Sequence, residues 1–249
     1  LIFYRGLIPF LTVFIGLIFI YKTKLLKELM NNSWHGVAYA VVFTITNIVF
    51  VISIENTNVA NTLIMIALAP MLSAIISFIF LNENPDKKTW IAIIITTLAV
   101  IYIFYDALDA GDFLGNFLGL VAAMGLAVGA NIIRSAKKIS LVPSAMLGKL
   151  MVALIALLFV DQIKIEGNDL IIVPLMCIMC VAIPFVLVTL APRYITAAEV
   201  NLFFLLETIL GPLWVWLVIK EQPSLETIVG GVVIILTIAT HSMLVLKKI

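Results

Sequence analysis

Glu207 lies near the middle of "AAEVNLFFLLETILGPLWVWLVI", an apolar run in which a carboxylate is too deep to reach either end. An ionisable side chain in such a place costs several kcal/mol unless it is paired or hydrated, so it is a candidate for function. It could bind an ammonium group or carry a coupling proton. Arg5 and Lys149 are the cationic counterparts, each followed by a hydrophobic tail, "RGLIPFLTVFIGLIF" and "KLMVALIALLF". A guanidinium can hold a carboxylate through two parallel hydrogen bonds, whereas an ammonium acts as a point charge. Snorkelling of either side chain to an interface is the plainer reading.

Amides and aromatics extend the set. Asn47 in "FTITNIVF" and Asn131 in "GLAVGANIIR" can donate and accept at once, which suits a zwitterion and suits a bond between helices equally well. Phe203 and Trp214 could wall an apolar cavity. Glu199, its counterpart Asn61, Arg193 and the helix-bending Pro184 read as gating or structural residues. Cys177 and Cys180 lie in "LMCIMCVAIP", an apolar setting that offers neither redox nor metal chemistry. His35 and His241 have no metal-ligand neighbours at suitable spacing, and the sequence implies no cofactor.

Membrane-spanning elements must position these groups. Hydrophobic residues make up 63% of the 249 positions and charged residues 12%, and mean hydropathy is +1.22. Soluble domains carry about 25% charged residues, so this chain cannot cover a water-facing surface. No basic cluster points to nucleic acid. A hydrocarbon core of ~30 Å takes about 20 apolar residues per helix. Nine segments qualify, at 1–21, 35–54, 59–81, 89–105, 115–135, 143–160, 170–190, 197–219 and 225–246.

Lysine and arginine orient them. One set of alternate connections holds Lys22, Lys24, Lys27, Lys87, Lys88, Arg134, Lys137, Lys138, Arg193, Lys247 and Lys248, and the other only Lys164 and Lys220. The rich side is cytoplasmic by the positive-inside rule, which puts the C-terminus inside and residue 1 outside. The expected location is the bacterial inner (plasma) membrane.

An offset of 138 residues lays "NVANTLIMIALAPMLSAIISFIFLNENPDKKTWIA" on "TAAEVNLFFLLETILGPLWVWLVIKEQPSLETIVG" without a gap. That offset carries each helix onto the fifth one after it. Five is odd, so matched helices run in opposite directions, the pattern of an inverted-topology repeat. The expected fold is an all-α polytopic membrane protein of two inverted five-helix repeats. Nine of its ten helices are visible and the first is missing from the sequence. The repeats are residues 1–106 and 113–249, together one transport domain.

The ordered set "RGLIPFLTVFIGLIF", "ANTLIMIALAPMLSAIISFIFLNENP", "GNFLGLVAAMGLAVGANIIRSAKK" and "AAEVNLFFLLETILGPLWVWLVIKEQP" resembles the EamA branch of the drug/metabolite transporter superfamily over essentially the whole chain. The resemblance implies transport of a small metabolite, often an amino acid or related amphipathic solute, through a central cavity between the halves. The family often has Glu-Pro where this chain has Glu207-Thr208. With proline only at Pro212, a kink is expected about one turn further along.

The expected function is therefore secondary-active or facilitative transport by alternating access. Its partners are a small-molecule substrate, the lipid bilayer and, as coupling ion, protons. A carrier of lipid-linked or nucleotide-sugar substrates is the alternative. A membrane enzyme would need a convergent nucleophile, base or metal cluster, and a channel would need rings of charge or a filter motif. Oligomeric state is not legible.

Overall fold

The computed structural model describes residues 2–25, 27–28, 33–57, 59–105, 113–159, 167–220, 222 and 224–246. The described residues are helical throughout apart from turns, as the hydropathy pattern requires of a chain that must satisfy its backbone polar groups inside lipid. In chain order the helices are α1 (Ile2–Tyr21), α2 (Ser33–Asn56), α3 (Val59–Ile66), α4 (Ala69–Leu81), α5 (Lys87–Ile103), α6 (Phe113–Ser135) and α7 (Val142–Leu157). There follow α8 (Asp169–Met176), a π-helical stretch (Cys177–Ala182), α9 (Ile183–Leu190), α10 (Ala197–Phe204), α11 (Glu207–Ile219) and α12 (Leu225–Leu246). Among the described residues, six stretches are long and apolar enough to cross a membrane: Ile2–Tyr21, Trp34–Asn56, Asn61–Leu81, Phe113–Ser135, Asp169–Arg193 and Leu225–Leu244. The chain is an all-helical integral membrane protein.

The 138-residue repeat is present in the backbone, where three successive helices of each copy start in register. Helix α3 starts at Val59 and α10 at Ala197, α4 at Ala69 and α11 at Glu207, and α5 at Lys87 and α12 at Leu225. Both copies break at the same point, Ala67–Leu68 in the first and Leu205–Leu206 in the second. Both copies also end the following helix on a left-handed residue, Asn82 (φ 52°) and Lys220 (φ 66°). Left-handed caps close a helix by turning the chain back on its last carbonyls. Here the Glu83 N–H reaches the Ser77 carbonyl at 3.2 Å, and the Lys220 N–H reaches that of Trp216 at 3.1 Å.

Two expectations change at these breaks. Residues 59–81 and 197–219 are each two helices with a turn between them, and in the second the interruption falls at Leu205–Leu206, not after Glu207. Helix α11 runs through Pro212, and the interruption precedes Glu207. Proline is not its cause, because the register of Pro70, which follows the first break, is held by Thr208 in the second copy.

Helices of one copy pack on helices of the other: α4 on α10, and the matched pairs α1 on α7 and α5 on α12. In the last pair, Thr89 at the start of α5 bonds His241 near the end of α12. Gly230 near the start of α12 lies against Ile103 at the end of α5. The two helices are antiparallel, as an inverted repeat demands.

The described chain forms two compact units, and each draws on both repeats. One comprises residues 1–48 and 132–194, the other 49–131 and 195–249. The first has a core that includes Val13, Leu17, Tyr39, Leu141, Met146 and Phe185. Gly6 seats α1 on α7 there, since a Cβ at that position would stand 2.7 Å from the Ala153 backbone nitrogen. The second has a core that includes Ile93, Val100, Leu202, Leu205, Ile234 and Ile238. In it Gly115 lets α6 reach the end of α2, where a Cβ would come within 2.6 Å of Thr57 Cβ. This is the close approach that the Gly115/Gly119 spacing suggests.

Candidate functional site

The first unit places one cation in an unusual setting. Gly148 in α7 has no side chain, and the Cβ it lacks would lie 2.9 Å from a Phe43 ring carbon. Helix α2 therefore approaches closely enough for the Thr44 hydroxyl to donate to the Gly148 carbonyl at 3.2 Å while also donating to Ala40 at 2.7 Å. The next residue, Lys149, then projects along α2. Its side chain is 5% exposed, and its Nζ donates to Asn47 Oδ1 at 3.0 Å. It also stands 5.0 Å from the centre of the Phe43 ring and 5.7 Å from that of Phe185.

Each neighbour is held in place. Asn47 Nδ2 donates to the Phe43 carbonyl at 2.8 Å, which fixes the amide with its oxygen toward the lysine. One turn before Phe43, the Tyr39 hydroxyl shares a 3.2 Å hydrogen bond with Thr189 of α9, tying that helix to α2. Cation–π attraction and one amide oxygen offset part of the cost of burying the charge. No carboxylate among the described residues makes an ion pair with Lys149. Arg5 is exposed on α1, and Cys177 is buried in the π-helical stretch. The arrangement is cationic and flanked by aromatic rings, and of the expected residues Asn47 and Lys149 meet there.

The second unit treats its buried charge differently. Glu199 is the third residue of α10 and completes a capping box. Its Oε2 accepts from the Thr196 N–H and from the Thr196 hydroxyl, both at 2.8 Å, and its own N–H donates to Thr196 Oγ1 at 3.3 Å. Its Oε1 is 3.9 Å from His241 Nε2, and that nitrogen shares a 3.0 Å hydrogen bond with the Thr89 hydroxyl. A groove of about 360 Å³ runs beside this cluster between α5 and α12, lined by Ile91, Ile95, Thr237 and Leu244, with Lys88 and His241 as its ionisable members.

The other expected residues are dispersed. Asn131 is saturated within the helix packing: it donates to Ser73 Oγ at 2.9 Å and to the Ala127 carbonyl at 2.8 Å, and accepts from Ser77 at 2.6 Å. Asn61 is buried and donates to Thr57 Oγ1 at 3.1 Å. Glu207 is exposed in the first turn of α11, and Phe203, on α10, is 40% exposed. The Trp214 side chain lies outside the described residues. Pro184 is exposed in the first turn of α9, and Arg193 donates to the Lys137 carbonyl at 3.0 Å. Sequence reading missed Phe43 and Phe185 as walls of the lysine site. The i, i+4 spacing of Phe43 and Asn47 on one helix face was the available signal.

The profile of the EamA-like transporter family matches residues 1–105 and 113–243. A solved structure, titled only "Crystal structure of protein", is similar with a TM-score of 0.80 at 14% identity. The likeness covers 99% of this chain and 88% of that one. At such identity it speaks to the fold alone. No match was found among curated proteins.

Proposed function

The chain belongs to the EamA-like transporter family, within the drug/metabolite transporter superfamily, and we propose that it moves a small organic metabolite, an amino acid or related amphipathic solute, by alternating access. The observation that carries this reading is Lys149. A membrane helix that buries an ammonium against one amide oxygen and two ring faces keeps donor capacity free for a solute, and intramembrane charges of this kind mark substrate pathways. The antiparallel packing of α5 and α12 supports alternating access, because inverted repeats allow one arrangement to be exchanged for its mirror in topology. Glu207 is the carboxylate assigned to proton coupling. In this reading the C-terminus is cytoplasmic, residue 1 faces outward and the location is the bacterial inner membrane, on the strength of the lysine and arginine distribution.

The test is counterflow in proteoliposomes, each preloaded with one unlabelled solute from a panel of amino acids and small organic acids, with and without a pH gradient. Transient accumulation of the labelled form is expected for at least one solute. Failure of every solute to exchange would overturn the reading.

A further inference from the structure

Among the described residues of the first unit, no carboxylate makes an ion pair with the Lys149 ammonium. The carboxylates in its described helical residues are Glu28 and Asp169, the latter exposed at the first position of α8. The Lys149 ammonium has three N–H bonds, and the described residues supply one acceptor, Asn47 Oδ1. Aromatic rings stand beside the ammonium: the Phe43 and Phe185 ring centres are 6.0 Å apart, and Tyr39 stands 5.8 Å from Phe43. A carboxylate would complete the lysine's hydrogen bonding and neutralise its charge in one step, and the rings would cover an apolar body attached to it. The contacts described around the lysine, an amide oxygen and two rings, include no carboxylate to pair with a ligand's ammonium group.

We propose that Lys149 and Asn47, walled by Phe43 and Phe185, form a binding site for a small organic carboxylate with an apolar body, and that an amino group on the ligand is not required there. This narrows the solute class and rests on the transporter reading above. Asn47 has a second part in the site. Its amide is nearly the size of a carboxylate and stands 3.0 Å from the ammonium, so Asn47→Asp would install the anion that the ligand otherwise brings.

The experiment uses the full chain in nanodiscs, with binding followed by calorimetry and melting temperature by fluorescence. Four probes share one ring: 3-phenylpropanoate, 3-phenylpropanamide, phenethylamine and phenylalanine. The two carboxylates should bind within roughly threefold of each other, and the amide and the amine about tenfold or more weakly, the usual size of a charge-assisted hydrogen bond. Lys149→Met should remove carboxylate binding. Asn47→Asp should melt no lower than the parent and still lose about tenfold or more in carboxylate affinity, since an internal ion pair occupies the ligand's place. Equal binding of the amine or the amide, binding of none of the four probes, or parental carboxylate affinity in Asn47→Asp would each overturn the proposal. If Lys149→Met fails to fold, Asn47→Asp decides alone. Counterflow separates the two readings: exchange of solutes that lack a carboxylate, with organic acids inert, sinks this inference and leaves transport standing.

Discussion

Lys149 and Glu199 are both buried charges in a protein with few of them, and their surroundings differ. Glu199 uses one oxygen to close the first turn of α10 and turns the other toward His241. Lys149 meets a single oxygen and two rings. The first charge is absorbed by the architecture, while the second is left with capacity to spare. A buried ionisable group therefore marks function through the hydrogen bonds it has left to make, more than through its depth.

The strongest challenge to this contrast is Lys149→Met. Uptake should fall about ten- to hundredfold while the melting temperature holds or rises, because an apolar side chain of similar length removes a desolvation cost. A variant that melts lower and still transports would reverse the roles given to the two residues.

Next in size are the glycines that seat each unit. Gly6→Ala and Gly115→Ala should each cost about 1–3 kcal/mol in denaturant unfolding, because the added methyl meets backbone. Gly16→Ala, in the same helix as Gly6 with nothing within 4 Å of the new Cβ, should be neutral or slightly stabilising.

A smaller loss is expected for Glu199→Ala. Removal of the capping box should cost about 1–2 kcal/mol, with uptake per folded molecule within about twofold of the parent. Loss of uptake beyond that would move Glu199 into the transport machinery. Smallest is Thr97→Val, which removes the 3.3 Å bond from the Thr97 hydroxyl to the Ala67 carbonyl at the first helix break. It should cost about 0.6 kcal/mol by the same measurement.

Much of the fold was legible in the chain. The 138-residue offset places the starts of α10, α11 and α12 from those of α3, α4 and α5, because a duplicated sequence keeps its turn residues in register. The breaks at Ala67–Leu68 and Leu205–Leu206 were not legible. They fall inside continuous apolar runs, and the second lacks the proline that follows the first. Residue type alone ranked Glu207 first, and the structure places it exposed in the first turn of α11, on a different element from the Lys149 cluster. The Lys149 cluster depends on Gly148, whose meaning emerges only when Phe43 of another helix is set against it.

The pairing of α1 with α7, α4 with α10 and α5 with α12 has a consequence for what counts as one folding partner. Each copy of the repeat finds its apolar complement in the other copy, so the molecule behaves as a tethered antiparallel dimer of two divergent protomers. Severing the tether between residues 105 and 113 and expressing the two fragments together should then regenerate transport, whereas either fragment alone should be degraded for want of its twin.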